Sequence, residues 1–410
     1  MKRTAKISGL LVIPLLASIF NSTPVHCDEI SNAHGEGNAK WQPSALQAFA
    51  GDTASDSINP KAKIELPRIG GHLQLDLAAY KDDITTIDNR TGARRARLVI
   101  SGKLANDWQY KLEYDFVRHK YDFVRHNLRD AYVRYSGLAR GKLTFGQFKQ
   151  HTTLENLISS KWTTFIERSL PIALTFKRTL GVGYDLSGDN YSFGVSMHGN
   201  EINSHDQGDD GLSISSRFTY AFVKAKNDVV HLGVSASFRD LDASNTLSFS
   251  VRPESRIGSG ATLIGANIDA KNQRMVGLEA GIVKGRWSSQ AEYIVANIDA
   301  RFGKDATFTG YYWQTSVFLT GEYRSYSAAN GLFDAPSHAD RTWELALRLS
   351  NIDLSDGPFG GKIDSLTLGV NFYANKFLRF SVNLINTKVD DGFNGDETIN
   401  SLQLRGQVVF

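Results

Sequence analysis

From Ile69 to Phe410 apolar and polar residues alternate with a period of two, interrupted by short polar or Gly-containing stretches. In Gln109–Phe116, Tyr110, Leu112, Tyr114 and Phe116 fall on one side, and Gln109, Lys111, Glu113 and Asp115 on the other. Trp343, Leu345, Leu347 and Leu349 oppose Glu344, Arg348 and Ser350, and Leu366, Leu368, Val370 and Phe372 oppose Thr367, Gly369 and Asn371. A period of two is the signature of a strand with one apolar and one polar face. The pattern continues to the last residue, with Leu402, Leu404, Gly406, Val408 and Phe410 against Gln403, Arg405 and Gln407. A chain terminus is usually frayed and polar, so this one is expected to be a strand paired at both edges.

Local alternation fits a soluble sandwich as well as a membrane barrel, in which apolar residues face lipid and polar ones a wet lumen. Four features favour the barrel. The alternation covers about 340 residues with no helical domain. Aromatics (Trp108, Tyr110, Trp287, Tyr293, Trp313, Tyr323, Trp343) fall near expected strand ends, as in interfacial girdles. The final strand acts as a seam, since an open edge in lipid leaves unpaired backbone groups. The chain also begins with a secretory signal: Lys2, Arg3 and Lys6 precede the apolar run Leu10–Ala17. The expected fold is therefore all-β: a 16-stranded antiparallel transmembrane β-barrel with an inward-folded constriction loop, in the outer membrane of a Gram-negative bacterium.

Counting gives 17 strand-like runs, whereas a barrel with both ends on the periplasmic side needs an even number. Counts from the two ends meet if Thr246–Pro253 belongs to a long external loop spanning about 242–270, which leaves 16 strands. Ser325–Asp340 is then a long connection for the periplasmic side. Tyr114–Lys120 is nearly repeated at Tyr121–Asn127, and because seven is odd the duplication reads as a lengthened external loop. The acidic stretch Asp390–Glu397 lacks EF-hand spacing and reads as a solvated loop.

The expected organisation is a signal peptide at 1–27, a flexible periplasmic segment at 28–66 and the barrel at 67–410. Val25 and Cys27 fit the −3 and −1 positions of a cleavage site, a neighbouring bond being the alternative. Cleavage there removes the single Cys, so the mature chain needs no disulfide. Basic residues then fall from 46 to 43, matching the 43 acidic residues. Bulk charge does not argue for nucleic acid, so any anion preference must come from where the charges sit.

The loop His151–Pro171 is too apolar for solvent, with Leu154, Leu157, Ile158, Trp162, Phe165, Ile166 and Leu170 spaced as a packed segment. Folded into the barrel it would place Lys161 and Arg168 at the narrowest point, where fixed cations select anions; otherwise they are solvated loop charges. In Ala93–Ile100, Ala96, Leu98 and Ile100 take the lipid face, so Arg95 and Arg97 project inward with Arg94 at the rim. A charge facing lipid at the midplane costs about 2–4 kcal/mol. Asp130, Tyr132, Arg134, Arg348, Arg379 and Arg405 follow the same rule, as do the acids Glu113, Asp115, Glu322 and Glu344. Arg252 and Arg256 in the long external loop are candidates for the outer steps of a cationic ladder, or are simply solvated.

Arg94-Arg95-Ala96-Arg97-Leu98, Leu128–Val133, Gly146-Gln147-Phe148-Lys149, Ser159–Trp162 through Glu167–Pro171, and Leu319–Arg324 together resemble the phosphate-selective porin O and P family from about residue 69 to 410. The resemblance implies a 16-stranded, homotrimeric outer-membrane porin whose third loop folds inward, with Arg and Lys binding phosphate or polyphosphate. By position, Arg94, Arg95, Asp130, Ser160, Lys161 and Arg168 match the family's anion-site region. Two departures stand out. His72 occupies the place where the resemblance calls for a first-strand arginine, giving an altered anion site whose imidazole regains charge in acid. Asn156-Leu157 omits a lysine expected before Ser159-Ser160-Lys161.

Enzyme motifs are missing: there is no Gly-x-Ser-x-Gly elbow, phosphate loop, dinucleotide fingerprint or Cys pair, and the His have no metal-ligand spacing. No enzyme activity, cofactor, metal or nucleic-acid partner is expected; the partners are small inorganic anions, outer-membrane lipid and further copies of the chain. Three readings stay open: a passive channel for small anions such as phosphate or polyphosphate, a weakly selective general porin in which acids balance the arginines, and a partner-binding barrel with a closed lumen.

Overall fold

The computed structural model describes residues 66–410 apart from 105, 118–126, 201–210, 242–245, 259 and 357–359. The signal peptide, nearly all of the 28–66 segment and residues 118–126 of the seven-residue repeat lie outside the described residues. Nineteen strands follow in order: β1 (Arg68–Lys81), β2 (Arg90–Lys103), β3 (Trp108–Asp115), β4 (Leu128–Tyr135), β5 (Lys142–Lys149), β6 (Arg178–Ser187), β7 (Tyr191–His198), β8 (Ser213–Ala225), β9 (Asp228–Asp240), β10 (Thr246–Val251), β11 (Ile264–Lys284), β12 (Trp287–Ala300), β13 (Ala306–Phe318), β14 (Arg324–Ser327), β15 (Leu332–Pro336), β16 (Thr342–Asp353), β17 (Lys362–Tyr373), β18 (Leu378–Gly392) and β19 (Gly395–Val409). The connection between β5 and β6 carries a one-turn helix, α1 (Leu154–Leu157), and a 3-10 turn at Leu170–Leu174.

Sixteen strands close one antiparallel barrel. Neighbours in sequence pair, except that β9 pairs with β11 and β13 with β16; β19 returns to β1 from His72↔Val409 to Lys81↔Asn400. The last residue joins the seam, Gly71 N donating to Phe410 O at 2.9 Å. The run at Thr246–Val251 is β10, which pairs only with the first six residues of β11. The expected 16 strands therefore stand. The alternation of the final strand has its expected meaning too: Gln403, Arg405 and Gln407 are buried in the lumen, whereas Leu402, Leu404 and Val408 are exposed on the outer surface.

Three expectations need correction. Trp108, Trp287 and Trp343 begin their strands at the short-turn end, as a girdle requires, but Tyr293 and Trp313 lie mid-strand and Tyr323 precedes β14, packed inside. Glu322 lies in the connection after β13, not on a lumen face, and accepts from Thr320 Oγ1 at 2.5 Å. Asp390–Glu397 is a tight hairpin, not a loop: β18 and β19 run to Gly392 and from Gly395, Phe393 and Asn394 make the turn, and Asp391 (φ 52°) lies in a bulge just before it. The long connection 319–341 lies on the short-turn side, as expected, and within it β14 and β15 pair as a hairpin that packs into the lumen.

The rule "polar face inward" fails at the long-loop ends of β11–β13 and β16–β19. There Ile298, Phe308, Ile352, Ile363, Val389 and Ile399 are fully buried inside, together with Phe249 and Val251 of β10 and Leu170 and Leu174 of the 3-10 turn. On the outer face Arg274, Asp299, Lys362, Asp364, Lys388 and Asp390 are partly or largely exposed. The phase of the alternation is unchanged, but its chemistry has reversed. Strands that leave the hydrocarbon stand in water, and there the apolar face turns inward as in any soluble protein.

Candidate functional site: a cation-lined passage beside the constriction loop

The β5–β6 connection folds into the barrel, and wall side chains hold it at both ends of α1. Glu292 of β12 accepts from the N–H groups of Leu154 (2.6 Å) and Glu155 (2.8 Å), where free helix donors favour a carboxylate. Lys149 at the end of β5 donates to the carbonyls of Asn156 (2.5 Å), Leu157 (3.1 Å) and Ile158 (3.2 Å). Further along, arginines of the opposite wall grip successive carbonyls. Arg379 bonds Thr163 O and Thr164 O, both at 2.8 Å. Arg405 bonds Ile166 O at 2.5 Å, and Arg348 bonds Glu167 O at 3.0 Å. Two wall glycines make the fit possible: a Cβ on Gly369 would come within 2.9 Å of the Phe165 ring, and one on Gly310 within 2.7 Å of Pro171.

With the loop packed against β12–β19, a cavity of about 870 Å³ remains on the side walled mainly by β1–β7. It reaches from Arg68 and Lys142 near the short-turn end to Arg252 and Arg256 in the β10–β11 connection. Fifteen Lys and Arg line it against six Asp and Glu. A chain of nearly balanced overall charge thus concentrates positive residues along one passage.

All the site residues expected from the sequence line this cavity, in different bonding states. Arg94 does not sit at the rim. The β1–β2 register skips it, with Gln74 opposite Arg95 and Leu75 opposite Ala93. The bulge turns Arg94 inward beside Arg95, as an extra residue in one strand does. Arg94 then forms a two-pronged pair with Glu167 (2.6 and 3.0 Å), Arg95 approaches Glu167 at 3.6 Å, and Arg405 reaches it at 3.1 Å. Arg97 bonds Asp115 (2.8 Å) and Glu113 (2.9 Å). Asp130 is shared by Lys111 (2.6 Å) and Arg178 (2.5 Å).

Arg168 is not a free charge at the loop tip, because its guanidinium bonds Glu155 O (2.8 Å) and Ile158 O (2.6 Å) within the same loop. The Ser160 carbonyl accepts from Gln74 at 3.0 Å, and its hydroxyl lies 3.4 Å from His72 Nε2. Among the described residues His72 Nδ1 has no hydrogen-bond partner. Lys161 is different. Its ammonium has no carboxylate partner among the described residues and stands 5.9 Å over the Trp162 ring. Arg252 and Arg256 likewise have no acidic partner there, although their neighbour Glu254 is buried against Arg348 and Thr367.

Glu167 and Arg168 of the inward loop have shifted titrations. Burial pushes the Glu167 carboxyl up, but Arg94, Arg95 and Arg405 outweigh it and hold it well below the usual carboxylate range. Burial lowers Arg168 to about 10, which leaves it charged at neutral pH. Glu167 is thus a permanent anion pinning three arginines, and it subtracts from the field those arginines offer a passing ion.

Sequence reasoning missed Arg178, Lys149 and Glu167. Arg178 shares the phase of Leu180 and Val182, which face outward, and it turns in only where β6 meets the loop. At β5 the phase breaks at Gly146 (φ 128°). Glu167 carries no pattern signal, since its role depends on three distant strands. Among the described residues no cluster of His, Cys, Asp or Glu is arranged to hold a metal.

A closed 16-stranded antiparallel barrel with an inward loop beside a charged passage is the architecture of an outer-membrane porin. Solved structures agree in fold: an anion-selective porin from Comamonas acidovorans matches with TM-score 0.57 at 14% identity, covering 84% of this chain and 99% of that one. The outer-membrane channel DcaP of Acinetobacter baumannii matches with TM-score 0.54 at 15% identity, covering 84% and 97%. The chain belongs to the phosphate-selective porin O and P family, whose model matches residues 68–410. Porin O of Pseudomonas aeruginosa is 28% identical over 89% of this chain and 96% of its own length. The protein is thus an anion porin of the Gram-negative outer membrane. The long-loop side faces the exterior and the short-turn side the periplasm.

Proposed function

We propose that small oxyanions, phosphate or polyphosphate in particular, cross this porin along the β1–β7 side of the lumen. Arg256 and Arg252 meet the ion first, and Lys161 with the Ser160 hydroxyl holds it beside the constriction loop. The observation that carries this reading is the unpaired state of Lys161, Arg252 and Arg256 in a lining already rich in cations. An unpaired cation in a confined site attracts an anion at full strength, whereas one already bonded to a carboxylate has little field left. The paired network of Arg97, Lys111 and Arg178 with Glu113, Asp115 and Asp130 favours a second reading, a general porin with weak selectivity.

The subunits assemble as a homotrimer in this proposal. An OmpT structure from Vibrio cholerae described as a trimer form shares the fold, with TM-score 0.54. Residues 28–66 serve as a periplasmic segment once 1–27 are removed. The reversal potential of the purified protein in a planar bilayer under a KCl gradient, followed by phosphate titration, separates the two readings. Chloride preference with millimolar or tighter block by phosphate is the expected result. Near-equal passage of potassium and chloride without block sinks the oxyanion site in favour of the general porin.

A further inference from the structure

The β14–β15 hairpin has a prepared seat in the lumen. Phe333 packs with Leu154 and Ile158 of the constriction loop and with Ala221, Val229 and Val283 of the wall. The wall opens a socket for it, since a Cβ on Gly281 would lie 2.5 Å from the Phe333 ring. On the other flank Arg217 of β8 donates to Asn330 O (3.3 Å) and Gly331 O (2.7 Å), while Glu279 of β11 holds that guanidinium at 2.6 Å. His231 of β9 bridges Glu279 (3.0 Å) and the Tyr326 hydroxyl (2.7 Å). Gly331 lies so close to Thr219 that a Cβ there would meet its hydroxyl at 2.4 Å.

Arg324, the first residue of the hairpin, links this seat to the aperture. It pairs with Glu344 of β16, donates to Asp334 O within the hairpin, and reaches Trp162 O (3.2 Å) and Thr164 Oγ1 (3.3 Å). Trp162 follows Lys161 and provides the ring beneath its ammonium. The loop segment that presents Lys161 to the passage therefore rests on a hairpin rising from the periplasmic side. Neither Arg324 nor Phe333 lines the passage itself.

We propose that the hairpin is a strut that positions Ser159–Thr164, so that Arg324 acts as a positioning residue for anion selection through Trp162 and Lys161. The idea rests on the cavity being the ion pathway, and it extends that reading to a hairpin whose Ala329, Asn330, Leu332 and Asp334 border the cavity while Arg324 stands behind it. A loop held only from the wall could swing at its tip; the strut fixes the tip from below, as preorganised sites require.

The test is Arg324→Lys, which keeps a cation beside Glu344 but cannot reach Glu344, Trp162 O and Thr164 at once. A second variant replaces residues 325–336 with a short Gly-Ser connection. Heat-modifiable mobility on gels checks that each barrel is folded, and planar bilayers give single-channel conductance and the chloride-to-potassium permeability ratio. Both variants should fold, conduct at least twofold more than the wild-type chain and lose most of its chloride preference. Wild-type conductance and selectivity in both folded variants would overturn the strut, as would failure of both to fold, since a positioning element must be separable from the barrel. If the wild-type chain shows no chloride preference, the anion site fails on its own account. Conductance then still decides the strut.

Discussion

Arginines project into both halves of the lumen, yet they serve different ends. On the β16–β19 wall Arg348, Arg379 and Arg405 are buried, and their donors go to carbonyls and carboxylates of inward-folded loops and to wall groups such as Asp76. On the β1–β7 side the cations face a cavity; some are balanced by acids, and Lys161, Arg252 and Arg256 are not. One wall uses guanidinium groups as brackets, the other as field. Facing inward is therefore a weak criterion for a role in permeation. What matters is whether the charge is already bonded, because a paired charge contributes little potential a few ångströms away. Arginine suits the bracket well, since its planar fork addresses several acceptors at once and keeps its charge when buried.

The largest effect should come from breaking a bracket. Arg348 is fully buried, bonds Glu167 O at 3.0 Å, pairs with Glu254 of the β10–β11 connection and lies over the Phe165 ring. Arg348→Met leaves Glu254 buried without its partner, and removing one member of such a pair typically costs about 3–5 kcal/mol. The expected outcome is a markedly lower temperature for loss of the heat-resistant folded form, with larger and noisier single-channel currents as both loops loosen. If Arg348→Met changed ion selectivity while leaving thermal stability intact, the division between bracket and field would fall.

How far the sequence carried the reading depends on range. Period-two alternation is a local signal, so strand positions, lipid faces, the seam at Phe410 and the inward fold of the apolar loop around Trp162 were all legible. The same rule misled at the long-loop ends of β11–β19, because a pattern records which face is apolar but not which solvent surrounds the strand. Ile363 and Asp364 illustrate this, one buried inside and the other outside in water. The lining of the cavity was legible as a set of residues but not as a set of states. Arg94 needed the bulge opposite Gln74, Arg168 its bonds to Glu155 O and Ile158 O, and Arg405 its contacts with Ile166 O and Glu167. Each of these depends on partners that only the closed barrel brings near.

A charge reversal on the other side of the comparison should do the opposite of Arg348→Met. Lys161 makes no ion pair among the described residues, so Lys161→Glu removes no bracket. A surface-type substitution of this kind changes stability by about 0.5 kcal/mol or less. The reversal potential should move toward cation preference and phosphate block should disappear, while heat-modifiable mobility stays that of the wild-type chain. A Lys161→Glu barrel that unfolds early, or that keeps its chloride preference, would show that Lys161 is a bracket after all.

The smallest expected effect belongs to the outer steps. Arg252 and Arg256 border the cavity at its exterior end, and the connection that carries them is already tied down by Glu254. In the proposed pathway their part is to raise the local anion concentration at the entrance, which is a long-range electrostatic effect and is screened by salt. Replacing both with Gln should lower chloride conductance about twofold in 0.1 M KCl, where the Debye length is about 10 Å, and hardly at all in 1 M KCl, where it is about 3 Å. Selectivity at the aperture, which the proposal assigns to Lys161 further in, should survive at both concentrations. A deficit that persists undiminished in 1 M KCl would instead mean that the two arginines bind the permeating ion directly, and the selecting site would extend outward to the mouth.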